Sequence, residues 1–397
     1  MFQSIERRPP DPILGLSAAY KSDTNPDKVD LGVGVYKDEA GNCPVMTAVK
    51  KAEQKLWEIE DSKSYIAQAG PELFLKHTPD LLLGNDHVAV KDKRVSTVLA
   101  PGGSGALRVA AEFVRRNVPG TRILVSDPTW NNHIPLLGSA GLNVETYPYY
   151  DYATHSIKFD QMMATLADAK QGDLVLIHGC CHNPCGADLN ASQWEAVAEA
   201  ALKQGFVPFI DLAYQGLGDG LVEDVYGLRL LASQLPEVII ASSCSKNFGL
   251  YRERTGAVTI ITETPAQSEA VQSQVVSTAR EMYSVPPTHG AALVGMILDD
   301  AALKAEWDAE LTEMRDRING LRVELVAKLQ EKGVDRDFSF IQQEKGMFSF
   351  LGLSPEQVKR LVNEFSIYLV GSSRINVAGI NQKNLGYLVD SIAAVLK

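Results

Sequence analysis

No stretch of this sequence approaches the roughly 18 uninterrupted apolar residues that a bilayer-crossing helix requires, which argues against a membrane span. Basic residues are also in short supply. Against 49 acidic residues stand 38 lysines and arginines, a formal charge of −11. A surface of that sign repels phosphate backbones and disfavours a nucleic-acid partner. Any anionic ligand must then be gripped by a few placed arginines and helix ends. Cysteine is sparse and odd in number, five in 397 residues, a pattern of free thiols in a reducing compartment rather than of a disulfide framework. The opening residues, Met1 to Pro10, lack the apolar core of a secretory signal, so the expected location is cytoplasmic. Repeats, low-complexity tracts and long linkers are missing as well. Pro101-Gly-Gly-Ser-Gly105 is neither the dinucleotide Gly-x-Gly-x-x-Gly nor a P-loop, which counts against nicotinamide and ATP sites.

What is present is a periodic pattern. Short apolar runs end in polar or aromatic residues: Thr97 to Ala100, Ile123 to Trp130, Val144 to Tyr150, Asp173 to His178, Phe206 to Asp211, Glu237 to Ala241 and Thr255 onward. Helical stretches separate them. This is the signature of βαβ units and predicts an α/β fold with a mostly parallel, doubly wound sheet. The chain is too long for one simple core, so a large domain over 45–312 is expected, with 1–44 and 313–397 forming a smaller α+β domain. From Leu303, the residues Trp307, Leu311, Met314, Ile318, Leu321, Leu325 and Leu329 recur every three or four positions. They predict one long helix joining the two domains, with Asn319-Gly320 as the place for a kink.

In such sheets ligands gather at the carboxyl ends of the strands, and the polar residues collect there. Lys246 follows one strand in Ser243-Cys-Ser-Lys246, Asp211 and Tyr214 follow another, Asn183 follows a third, and Arg254 comes eight residues after the lysine. An amine, a buried acid, a pair of hydrogen-bond donors and a cation are the parts needed to hold pyridoxal phosphate. The glycine-rich turn Gly103-Ser104-Gly105 at a helix start offers free amides to a phosphate. Blander readings exist for each residue: Asp211 as a helix N-cap, Arg254 and Arg374 as surface charges, the glycines as an easy bend. His178-Gly-Cys-Cys-His-Asn-Pro-Cys185 packs five conceivable metal ligands into eight residues. No second Cys/His pair stands elsewhere to complete a zinc site, so no metal is expected and the cysteines are read as small packing residues.

With these motifs in order, the sequence resembles the aspartate and aromatic amino acid aminotransferases, the class I, fold type I pyridoxal-phosphate enzymes, over essentially its whole length. The resemblance rests on Asp30-Leu-Gly-Val-Gly-Val-Tyr-Lys37, Pro101-Gly-Gly-Ser-Gly-Ala-Leu-Arg108, Ser126-Asp-Pro-Thr-Trp130, His178-Gly-Cys-Cys-His-Asn-Pro184, Asp211-Leu-Ala-Tyr-Gln-Gly216, Ser243 to Tyr251, Arg252-Glu-Arg-Thr-Gly256 and Ser372 to Gly379. It implies that Lys246 forms the Schiff base and then shuttles the proton, that Asp211 pairs with the pyridine nitrogen, and that Asn183 and Tyr214 donate to the ring oxygen. Trp130 would stack on the ring. Gly103, Ser104, Gly105, Ser243, Ser245 and Arg254 would hold the phosphate, and Arg374, beside the Gly34 backbone, the substrate α-carboxylate. Tyr65 and Arg280 would enter the site of a neighbouring subunit, which implies a homodimer with shared active sites. Cis peptides before Pro128 and Pro184 are implied too. Cys185 departs from the family, which usually has threonine there.

Arg280 suits dicarboxylates such as glutamate and 2-oxoglutarate. Cys43, Ser64, Ser104 and Val285 stand where strictly aspartate-selective relatives tend to carry larger or more polar groups. The expectation is transamination of tyrosine and phenylalanine as well as aspartate. The alternatives are a strictly aspartate-selective enzyme, another reaction type such as a β-lyase, and a non-catalytic sensor domain that binds the cofactor. The last would need a DNA-binding module, and no basic segment is present.

Overall fold

Seven of the apolar runs form one sheet in the computed structural model, which describes residues 1–7 and 12–397. The Arg8 to Pro10 end of the N-terminal stretch lies outside the described residues. The strands are β1 (Val95–Pro101), β2 (Arg122–Asp127), β3 (Asn143–Pro148), β4 (Leu174–His178), β5 (Val207–Leu212), β6 (Val238–Ser243) and β7 (Thr255–Ile261). Their spatial order is β1-β7-β6-β5-β4-β2-β3. Every residue of β4, β6 and β7 is buried, which is why these strands read as continuous apolar runs rather than as alternating ones.

Neighbours from β6 to β3 pair in parallel, while β7 runs against both β1 and β6. The reversed strand reshapes the edge where the parallel strands end. Thr255, the first residue of β7, sits opposite Pro101, the last of β1, and Gly256 sits opposite Ser243, the last of β6. The start of β7 thus joins the ends of the other strands. Helix α1 (Gly102–Asn117) begins at that edge and buries Ala106, Leu107, Val109, Ala110, Ala111 and Val114 against the sheet. Its apolar face is an i, i+3, i+4 stripe.

The chain divides into two compact units. The larger comprises Pro44–Asp316 and Glu344–Gly346; the smaller comprises Met1–Cys43, Arg317–Gln343 and Met347–Lys397. The long apolar periodicity is one helix, α2 (Ala301–Glu331), continuous through Asn319-Gly320. Residues Asp30 to Tyr36 hold only the end of a short strand, Val29–Asp30, which pairs in parallel with Ile367–Tyr368. In the same unit Phe348–Phe350 pairs antiparallel with Arg374–Asn376. The helix Pro355–Phe365 starts with a capping box between Ser354 and Gln357. Both proline peptides named above, before Pro128 and Pro184, are cis. No described helix is long and apolar enough to cross a membrane.

Arg322 is the polar anchor of the smaller unit's core. Its side chain is 1% exposed, and it donates to the carbonyls of Ile341 and Phe348 and to the Ser349 hydroxyl. Removing a buried charged donor strands all of its acceptors, which is costly. Arg322→Leu is expected to lower stability by about 3 kcal/mol, read as a lower denaturant midpoint. An unchanged midpoint would contradict this role.

Candidate functional site

The ends of β4, β5 and β6 place Asp211, Tyr214, Asn183 and Lys246 in one neighbourhood. Asp211 lies in β5, in register with His178 on β4 and Ala241 on β6. Burial alone would raise its carboxyl pKa, yet His133 Nε2 sits 2.9 Å from Oδ2, and this contact, with the nearby His133, His178 and Lys246, brings it below the ordinary carboxylate value. The carboxylate is therefore ionised in a place where an unpaired charge would be expensive. Behind His133, the Thr129 hydroxyl lies 2.7 Å from His133 Nδ1 and 3.1 Å from His178 Nε2. Burial and the adjacent His133 push His178 down to about 3, so it is a neutral ring at neutral pH.

Lys246 follows β6, with Nζ 4.9 Å from the centre of the Tyr214 ring. Burial depresses its pKa to about 8; Asp211 opposes that shift and Arg254 adds to it. A lysine so tuned becomes half neutral, and so nucleophilic, at about pH 8 rather than above pH 10. Asn183 Nδ2 reaches the Tyr214 hydroxyl at 3.4 Å. Trp130 meets the His133 ring edge-to-face at 5.3 Å between centroids.

A seat for an anion adjoins these groups. Helix α1 starts at Gly102 with no side chain capping its first amides, so Gly103, Ser104 and Gly105 present a positive helix end. A Cβ on Gly102 would lie 2.6 Å from Arg254 Nη2, and one on Gly256 would lie 2.6 Å from the Gly102 backbone. Glycine is required at both positions because the arginine and two chain segments converge there. Ser243 Oγ accepts from the Ser245 amide at 3.2 Å. Together these groups can hold a phosphate, keep a buried cation opposite Asp211 and offer a lysine nitrogen.

Not every residue singled out from the sequence belongs to this cluster. Tyr65 and Arg280 are exposed on the larger unit, Tyr65 at 89%. Arg374 and Gly34 belong to the smaller unit. There Arg374 is buried, donates to the Gly32 carbonyl at 2.8 Å and lies 4.3 Å over the Phe348 ring. Asn376 Nδ2 grips the carbonyls of Val33 and Val35, which fixes the segment bearing Gly34. A Cβ on Gly34 would meet Phe348 at 2.7 Å.

The sequence reading missed His133 and Thr129 and took His178 and His182 only as conceivable zinc ligands. Three of the seven histidines lie at or shortly after strand ends, and that clustering was the available signal. The five residues of the zinc reading have divided partners. His178 meets Thr129, and His182 meets Cys185 and Ser126. Cys180 and Cys181 approach Asp224, with the three ligand atoms within 4.8 Å of one another. The Asp224 oxygens, however, already accept the amides of Gly216, Gly218, Asp219 and Gly220.

Comparison with known proteins identifies the family of the chain. Residues 26–392 match the family model for aminotransferase class I and II. An aspartate aminotransferase of Salmonella typhi is 49% identical over 396 residues, covering all of both chains. An aromatic-amino-acid aminotransferase of Paracoccus denitrificans is 46% identical with the same coverage. Among solved structures, an aromatic-amino-acid aminotransferase of Burkholderia pseudomallei, covalently bound to pyridoxal phosphate, superposes with a TM-score of 0.98 at 45% identity and full coverage of both chains.

In the protein freed of any bound aldehyde, the Lys246 amine is expected to titrate near pH 8. Its acylation, followed by peptide mapping against pH, should rise through that value, because only the neutral amine reacts. Asp211→Asn removes the charge that opposes the depression and should move the midpoint lower still. A midpoint at the ordinary lysine value would contradict the site's electrostatics.

Proposed function

Because the chain belongs to the class I and II aminotransferases, we propose that it transfers the amino group of an L-amino acid to 2-oxoglutarate with pyridoxal 5′-phosphate as its cofactor. The donors are tyrosine, phenylalanine and aspartate, and the two half-reactions alternate in a ping-pong scheme. The residues fit that cofactor: an uncapped helix start beside Arg254 suits its phosphate, and the buried, ionised Asp211 suits a protonated ring nitrogen. When bound, the cofactor supplies an aldehyde carbon for covalent attachment and a ring that withdraws electrons from the substrate's α-carbon.

The chain's own residues do the rest. Lys246 Nζ provides the covalent attachment. When free of that attachment, Lys246 Nζ would be the base that moves the substrate α-proton. Asp211 holds a proton on the pyridine nitrogen, and His133 holds Asp211 in place and ionised. Asn183 and Tyr214 would donate to the ring oxygen, and Trp130 would stack on the ring. Gly103, Ser104, Gly105, Ser243, Ser245 and Arg254 take the phosphate. Arg374 takes the substrate α-carboxylate next to the Gly34 backbone, a planar bidentate match.

A second copy of the chain completes the site, with Tyr65 reaching the phosphate and Arg280 the distal carboxylate. The exposure of both side chains supports this, and so do the exposed apolar residues Trp57 and Ile59 nearby in sequence, which a partner would cover. Small groups at Cys43, Ser64, Ser104 and Val285 leave few hydrogen bonds to fix Arg280, so an aromatic donor can displace it. We place the enzyme in the cytosol, in keeping with its free cysteines.

The observation that carries this reading is the ionised Asp211, buried at a strand end against His133 and coupled to Lys246. Purified holoenzyme should show a visible absorption band that both aspartate and phenylalanine bleach in the absence of keto acid. Lys246→Ala should reduce turnover by several orders of magnitude. Bleaching by aspartate alone would reduce the specificity to aspartate. No band after adding cofactor would overturn the assignment of Lys246.

A further inference from the structure

Asn183 stands on a turn that one side chain grips from within. Between the end of β4 and Asp188 the chain forms neither strand nor helix, so its amides need partners from elsewhere. Two of them share one. Asp188 Oδ2 accepts the Cys181 amide at 2.6 Å, and Oδ1 accepts the next amide, that of His182, at 2.8 Å. Cys181 has a φ of +51°, in the left-handed region that residues with a side chain rarely enter. In that conformation its amide and the one after it turn to the same side. Successive amides so arranged form a concavity for an anion, and here the chain supplies the anion itself.

Charge and shape both suit the carboxylate to this place. Each oxygen meets one amide, and hydrogen bonds to an ionised acceptor are roughly twice as strong as neutral ones. Burial pushes the Asp188 pKa up to about 6, which the two amides oppose and Asp224 and Asp219 reinforce, so the group is ionised at neutral pH. Other bonds tie the far side of the turn. Gly186 N donates to the His182 carbonyl and Lys345 N to the Gly186 carbonyl, both at 2.7 Å, and the Tyr149 hydroxyl donates to the Ala187 carbonyl at 2.8 Å. These hold the segment after Asn183, whereas Asp188 grips the two amides just before it.

We propose that Asp188 is a positioning residue for Asn183: its carboxylate fills the anion concavity formed by the Cys181 and His182 amides and so fixes the direction in which the Asn183 side chain leaves the turn. Asn183 Nδ2 lies 3.4 Å from the Tyr214 hydroxyl. A turn that relaxes would draw this donor away from Tyr214 and from the ring oxygen it serves in the proposed reaction. A chemical consequence follows from the concavity's being made of backbone amides. Cutting Asp188 back to alanine removes the occupant but not the amides, and formate, the smallest carboxylate, carries the same pair of oxygens to replace it. Only the effect on turnover rests on the proposed transamination; the clamp itself does not.

Asp188→Ala, with and without formate at neutral pH, tests this. Deuterium uptake of the holoenzyme in the peptide that holds Cys181 and His182 reads the clamp directly. Protection there should fall about tenfold in Asp188→Ala and return with formate. Turnover with aspartate should also fall about tenfold and recover in formate, each value taken relative to wild type in the same formate, which corrects for formate competing at Arg374. Asp188→Asn keeps one acceptor oxygen and should fall between the two. If the alanine variant does not fold, Asp188→Asn decides the question, and values equal to those of wild type would overturn the clamp. Freely exchanging amides in the wild type would overturn it too, as would a loss in Asp188→Ala that formate does not reverse. Restored protection without restored turnover would overturn the positioning of Asn183. Failure of the wild type to transaminate at all would instead count against the proposed function, while deuterium uptake would still decide for or against the clamp.

Discussion

The contact between Asp211 and His133 governs the chemistry of this protein. A carboxylate at the end of a central strand is costly to ionise; it stays ionised here because a fully buried imidazole sits 2.9 Å away and Lys246 lies close by. The cost of burying His133 is met in turn by Thr129, which hydrogen-bonds it on one side and His178 on the other. Without this column Asp211 would drift toward its neutral form. Lys246 would then lose the charge that keeps its pKa as high as about 8, and a cationic ring nitrogen would have no counter-ion.

The sheet brings these groups together through one topological detail. Parallel strands end at a common edge, and the reversed β7 adds the segment beginning with Arg254 and Thr255 to that edge. The same reversal brings Gly256 against the Gly102 backbone, so the uncapped start of α1 and the guanidinium meet where there is room only for glycine. An anion seat and a tuned lysine are thus consequences of strand order as much as of side-chain identity.

Much of this was legible in the sequence, and what was not has a physical reason. The strands of the large unit declared themselves as apolar runs because both faces of the sheet are covered. The long helix α2 likewise showed its apolar residues at every third or fourth position. The segment after Asp30 was harder to read. Val33 and Val35 look like a strand, but their carbonyls bond to the Asn376 side chain, a partner more than 340 residues away. Residues 344–346 belong to the larger unit although the chain on both sides belongs to the smaller. Lys345 N bonds to the Gly186 carbonyl, and Glu344 accepts from Tyr150, contacts that local pattern does not encode. The histidine column was hidden for the same reason. His133, His178 and His182 are far apart in sequence or embedded among cysteines, and only strand register unites them.

The chemistry of the whole site depends on the charge on Asp211. Its most direct test is the ¹⁵N spectrum of holoenzyme reconstituted with pyridoxal phosphate labelled at the ring nitrogen. A protonated nitrogen is expected in the wild type throughout the pH range in which the protein stays folded, and an unprotonated one in Asp211→Ala at neutral pH. A wild-type nitrogen that is unprotonated, or one that is protonated equally in both proteins, would contradict the role given to this carboxylate.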